Sequence, residues 1–180
     1  PLPGLVLEWQ GQRPVAVAIE NSTASTTQWG LSSASVVLEA LTEVGTSTEL
    51  CLVYPALAAT PKVGPVAAGQ DIYWRLLVGQ QPIPVQRGGG QFDQNFLDYY
   101  SIRAVDALEA GRTAFDCGSE WSNAPLWYTS GEAISNVLDE LSISSVLTES
   151  RVTSAASAAA DSASSGADAV LSIPAVSYTH

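Results

Sequence analysis

Two carboxylates four residues apart, Glu39 and Glu43, are the first residues in the chain whose spacing suggests chemistry. On a helix they would share one face, where a pair of carboxyl groups with separated pKa values can act as general acid and base. The plainer reading is the solvated edge of an amphipathic helix, since exposed like charges at this spacing cost only about 0.2–0.5 kcal/mol. A second candidate is Gly88-Gly89-Gly90, lying between an apparent strand and an apparent helix. Successive N–H groups there could form a concave anion-binding nest, with Arg87 adding a charge-assisted bond. The absence of a following Gly-Lys-Ser/Thr excludes a nucleotide loop, and three glycines equally suit a tight turn.

Nucleophilic catalysis has little to build on, because the only histidine is the terminal His180. Cys51 and Cys117 have no second Cys or His at metal-ligand spacing, so neither a metal nor a cofactor is expected. Two unpaired thiols are expected, with Cys51 in the core. Trp74, Trp121, Trp127 and Tyr128 could form a sugar-stacking platform, although aromatics in a chain of this size more often pack in a core.

These groups sit in a chain of 180 residues with seven Lys plus Arg against eighteen Asp plus Glu, a net charge of −11. Lys62 is the only lysine. Such a surface repels nucleic acid and anionic headgroups, which are bound mainly through cations. No run of about 18 apolar residues is present. A membrane would therefore be reached only through a lipid anchor outside this chain.

The elements that must position the candidates follow from hydrophobic spacing. Pro14–Glu20 and Leu50–Tyr54 read as buried strands. Val36, Val37, Ala40, Leu41 and Val44 form a stripe at helical spacing, predicting a helix over Ser33–Val44. Gln70–Val78 predicts a buried helix, Ile83–Gln86 a third strand kept from a central position by its prolines, and Phe92–Tyr100 another helix. Thr129 followed by Glu132 reads as a capping box opening a helix that carries Ile134, Val137, Leu138 and Leu141. Alternation of strand and helix predicts an α/β fold with a mainly parallel central sheet and helices on both faces. The expected organisation is one domain over 1–150, an Ala/Ser-rich linker over 151–169, and the first strand of a further domain over 170–180.

Arg13-Pro14-Val15-Ala16-Val17-Ala18-Ile19-Glu20-Asn21, Gln28 with Gly30-Leu31, Glu39-Ala40-Leu41, and Lys62-Val63-Gly64-Pro65-Val66 together resemble the motifs of the YerB-like bacterial lipoproteins. Val85–Gly90 and Tyr128-Thr129-Ser130 extend the resemblance. Polar positions depart from it. Thr26, Thr48, Ala67 and Gln70 stand where that family has Arg, Ser35 where it has Asp, and Gln86 where it has His. The resemblance implies an extracytoplasmic, membrane-anchored lipoprotein module without established activity. The expected role is a non-catalytic binding or scaffolding module for a small ligand or a protein partner. The alternative is a carboxylate-based hydrolase of the cell envelope. Loops after parallel strands gather at one sheet edge. Asn21, Gln86, Arg87 and Gly88–Gly90 are therefore expected to meet there, with Thr26, Ala67, Gln70 and Gln86 forming a nearly neutral cavity wall.

Overall fold

A computed structural model describes residues 11–22, 27–42, 45, 47–117 and 126–147, all within the compact unit Glu8–Thr148. Both the expected linker and the expected final strand lie outside the described residues.

The chain opens with β1 (Val15–Glu20), then runs through β2 (Val36–Leu41) and β3 (Thr48–Tyr54) to helix α1 (Asp71–Leu77). Strand β4 (Ile83–Gln86), helix α2 (Gln91–Tyr99), strand β5 (Val105–Asp106) and helix α3 (Ala107–Ala110) follow. A small hairpin pairs β6 (Asp116–Cys117) with β7 (Trp127–Tyr128), and the short helix α4 (Gly131–Ser135) comes last.

Five strands form one sheet in the order β2-β3-β1-β4-β5. The α/β class holds, but the mainly parallel sheet does not. The β1–β3 and β2–β3 ladders are antiparallel over six residue pairs each. The parallel ladders, β1–β4 and β4–β5, span only three pairs and two. Because β1 and β3 run in opposite directions, no crossover of fixed hand joins them.

The source of this difference is the expected helix over Ser33–Val44, which is strand β2. Val36, Leu38 and Ala40 turn inward while Val37, Glu39 and Leu41 turn outward, a period of two. The same residues also fit a helical stripe. Pairing of all six with β3, together with the β-branched Val36 and Val37, decides for the strand.

Strand β4 was expected away from the centre of the sheet, and it lies between β1 and β5. Ile83 N–H donates to Pro14 O on the β1 side. By alternation the N–H missing at Pro84 falls on the β5 side, where the ladder begins only at Val85 and Val105. The proline therefore removes no ladder bond.

All of β1 except Glu20 is buried. Val15, Val17 and Ile19 join Leu50, Leu52 and Tyr54 of β3 in a core completed by Val63, Val66, Ile134, Val137 and Leu138. Alternation turns Ala16, Ala18, Cys51 and Val53 to the opposite face, and they too are buried. Cys51 and Cys117 are both free thiols, and burial pushes the Cys51 pKa up.

The capping residue of α4 is Ser130 rather than Thr129. Ser130 Oγ accepts from Ala133 N–H at 3.2 Å, while the Thr129 hydroxyl donates to Ala114 O at 2.6 Å. Regular α-helix covers only Gly131–Ser135 of the longer helix expected there.

The start of α4 runs against the turn Leu57–Ala59 so closely that a Cβ on Gly131 would overlap the Leu57 carbonyl, whereas a Cβ on Gly79 would meet nothing within 4 Å. Gly131→Ala should lower the unfolding free energy by about 3 kcal/mol, and Gly79→Ala by no more than about 0.5 kcal/mol. Urea denaturation midpoints of the two variants check this, and equal midpoints would contradict the close approach.

Candidate functional site

Gln86 ends β4 and Asp106 ends β5, so the parallel strands deliver both side chains to one edge of the sheet. Beside Gln86 lies Asp93 of α2, a carboxylate with no solvent exposure. Trp74 Nε1 of α1 donates to Asp93 Oδ1 at 2.5 Å, and Gln86 Nε2 donates to Asp93 Oδ2 at 3.0 Å. The same amide nitrogen reaches Asp106 Oδ2 at 3.2 Å. Gln86 thus places its two N–H groups on two carboxylates. Its other end, Oε1, is buried without a hydrogen-bond partner. Burial raises the Asp93 pKa, the Trp74 and Gln86 bonds counter it, and the nearby charges of Asp106 and Asp71 add to the rise.

The segment Ala67–Gly69 closes this arrangement by pairing with the turn after β4. Arg87 N–H donates to Ala67 O and Gly69 N–H to Gly88 O, both at 2.8 Å. A Cβ on Gly69 would overlap Gln86 Oε1, and one on Gly89 would overlap Asp93 Oδ2. Both glycines are therefore dictated by close approach and not by turn geometry.

The anion nest expected at Gly88–Gly90 is filled by the chain itself. Gly88 N–H points at Asp106 Oδ1 and Oδ2, 2.8 and 3.0 Å away, and Asp106 Oδ1 also accepts from Leu108 N–H at 2.9 Å. Gly90 caps α2 through backbone alone. A carboxylate at the nest leaves no reason for a free anion to bind there.

Asn21 and Glu39 do meet, but on the far side of β1. Asn21 Nδ2 donates to Thr48 Oγ1 at 2.8 Å and lies 3.4 Å from Glu39 Oε1, which also accepts from Thr48 Oγ1 at 2.7 Å. The expected face shared by Glu39 and Glu43 fails because Glu39 stands on β2, and Glu43 is outside the described residues. The expected wall also fails. Gln70 is buried against Glu49 Oε2, Ala67 is buried, Gln86 belongs to the carboxylate cluster, and Thr26 is outside the described residues. Glu49 has a raised pKa through burial, opposed by the Gln70 bond and reinforced by Glu20. Of the expected aromatic platform, Trp74 is fully buried, Trp127 packs edge-on against Phe115, and Trp121 is outside the described residues.

A cavity of about 420 Å³ opens where β4 and β5 end. Gln86 and Asp106 line it, and so do Asp98, Arg103 and Glu109. Three carboxylates and one guanidinium give it an acidic character, suited to cationic or hydroxyl-rich groups. Asp93, Asp98 and Glu109 escaped notice because nothing local distinguishes the buried Asp93 of α2 from exposed helical carboxylates such as Asp98 and Glu109.

Three comparisons place the chain among known proteins. The family model described as "Protein of unknown function (DUF3048) N-terminal domain" matches residues 2–144. The Bacillus subtilis (strain 168) protein named "Putative lipoprotein YerB" is 30% identical over 129 residues, covering 71% of this chain and 35% of the relative. The crystal structure of YerB from Bacillus subtilis superposes with a TM-score of 0.69 at 25% identity, covering 77% of this chain and 47% of that one. The chain thus spans about a third of the curated relative's length.

Both Asp93 and Glu49 have folded-state pKa values above those of an unfolded chain, so the native state holds more protons than the unfolded state over that interval. Stability should therefore be greatest at the acid end and fall as pH rises from about 4 through the raised values. Asp93→Asn and Glu49→Gln should each flatten that fall in urea melts between pH 4 and 7. Unchanged slopes in both would contradict the raised values.

Proposed function

Since the chain belongs to the DUF3048 N-terminal domain family, a family of unknown function, we propose that it is a non-catalytic binding module of an extracytoplasmic lipoprotein. Its ligand site is the cavity where β4 and β5 end. One observation carries this reading. The cavity opens at the carboxyl ends of parallel strands, the place where α/β sheets usually hold ligands, and Gln86 and Asp106 from those ends line it. The lipoprotein context rests on the name of the Bacillus subtilis relative, of which this chain matches one part.

The internal bonding of the carboxylates supports binding over catalysis. Asp93 has no exposure, and Asp106 spends its oxygens on Gly88, Leu108 and Gln86. A general acid or base needs a proton path to substrate, and these two groups are positioned to hold the loops instead. Asp98, Glu109 and Arg103 remain at the cavity to meet a ligand. Their balance favours a small polar molecule carrying an amine or several hydroxyl groups.

Backbone-amide NMR titration with glucosamine and with glucose tests this. Both should move the resonances of Gln86, Arg103 and Asp106, and the amine should bind more tightly. Asp98→Asn with Glu109→Gln should lower glucosamine affinity about tenfold, since both carboxylates are exposed and exposed charge pairs contribute up to about 1 kcal/mol each. Shifts scattered over the surface would remove the site. Turnover of ester, phosphate or glycoside substrates that Glu39→Gln abolishes would replace the binding role with the hydrolase.

A further inference from the structure

Lys62 is the only lysine in a chain of net charge −11, and its side chain is exposed. Its ammonium lies 4.5 Å from the ring centroid of Trp29 and 4.7 Å from that of Tyr128. Both distances are within the roughly 6 Å reach of a cation–π contact. Among the described residues the ion pair formed is Arg75 with Asp71, and no carboxylate pairs with Lys62. Two ring faces therefore hold the cation without neutralising its charge.

Backbone bonds fix the three side chains relative to one another. Trp29 N–H donates to Gly64 O at 2.7 Å, Val63 N–H to Thr129 O at 2.8 Å, and Thr129 N–H to Val63 O at 3.0 Å. A Cβ on Gly64 would lie 2.9 Å from Tyr128 Cδ1, so glycine at this position lets the ring come in beside Lys62. Because these bonds lie within the chain, they hold the three side chains in place and reduce the ordering cost of binding a ligand.

Two cavities meet at this lysine. One, of about 250 Å³, includes Asp116, Tyr128 and Ser130 in its lining, and the other, of about 500 Å³, includes Leu57, Ala58, Pro61 and Glu132. Lys62 and Ser130 belong to both. The geometry points to a second binding site at Lys62, which takes a singly charged anionic group, carboxylate or phosphodiester, whose uncharged body rests against Leu57, Ala58 and Pro61. The free N–H donors of the ammonium meet the anion in charge-assisted bonds. Asp116 and Glu132 on the flanks repel further negative charge, which disfavours multiply charged ligands. This site stands whether or not the cavity at β4 and β5 binds anything.

The test is a titration of the described chain, followed by backbone-amide NMR, with glucuronate, glycerophosphoglycerol and acetate. Glucuronate, glycerophosphoglycerol or both should shift Val63, Tyr128 and Ser130, and acetate, which lacks a body, should bind more weakly. Whichever of the two binds more tightly identifies the source of the anion as an acidic sugar or a phosphodiester. Lys62→Gln should weaken binding about tenfold or more, Lys62→Arg should retain most of it, and Arg112→Gln, which removes a charge elsewhere, should leave it unchanged. The inference is overturned by equal affinity in Lys62→Gln and wild type. It is overturned equally by a loss in Arg112→Gln matching that in Lys62→Gln, or by no shift from any probe at about 10 mM.

Discussion

A carboxylate with no access to water and no cation beside it is the constraint around which this fold is arranged. Moving an ionised carboxyl group out of water costs several kcal/mol, by order of magnitude, unless donors replace the lost hydration. Asp93 obtains its donors from the Trp74 indole and the Gln86 amide. That choice fixes much else. Trp74 must bring α1 against α2, and Gln86 must bring the end of β4 under α2. Gly69 and Gly89 must lack side chains so that two backbone segments can pass over the pair. Asp106 then shares the same amide and ties down Gly88 and Leu108, which sets the turn after β4 and the start of α3.

Scarcity of cations gives the two candidate sites a common logic. With only seven Lys and Arg among 180 residues, the buried acid is solvated by an amide and an indole, and the lone lysine is held by aromatic faces. Neither charge is cancelled by an ion pair. At the β4–β5 edge this leaves an acidic cavity whose deeper groups are already bonded internally. At Lys62 it leaves an ammonium with donors to spare on a surface that otherwise repels anions. Arg13, by contrast, is committed to structure, since its guanidinium donates to the carbonyls of Gln81, Pro82 and Ser144.

Much of the sheet could be read from residue order. Val15–Glu20, Leu50–Tyr54 and Ile83–Gln86 are short apolar runs bounded by polar or turn-forming residues, and each is a strand. α1 and α2 were legible for the same local reason. β2 was not, because Val36, Val37, Ala40 and Leu41 satisfy a helical period and a strand period at once, and only the neighbouring β3 decides between them. The error then spread. A helix between β1 and β3 implied a parallel pair and put Glu39 and Glu43 on one face. The sites were less legible than the sheet. Gln86 and the glycines after it were marked by sequence, but their partners Trp74, Asp93 and Asp106 are 7 to 20 residues away and nothing local announces them. Trp29, Lys62 and Tyr128 come from three separate segments joined by backbone bridges. Gly30, Gly64 and Gly131 are likewise places where backbone or a side chain passes too close for a Cβ, which only the folded chain reveals.

The identity of residue 86 has a consequence for how this edge of the sheet responds to its surroundings. The motif that this chain resembles has His at that position. An imidazole between two carboxylates would gain a proton near neutral pH and hold it more tightly than usual, so the centre of the cluster could change its charge. An amide cannot. Gln86 offers two donors at every pH, which satisfies Asp93 and Asp106 together, but leaves Oε1 buried and unpaired at a cost of about 1–3 kcal/mol. Flipping the amide would turn that oxygen toward two acids and remove both donors, so the unpaired atom is the lesser penalty. In this chain the cluster is thus a fixed support. Sensitivity to pH passes from residue 86 to two acids packed beside α1, the buried Asp93 and the half-buried Glu49, whose raised pKa values arise from burial.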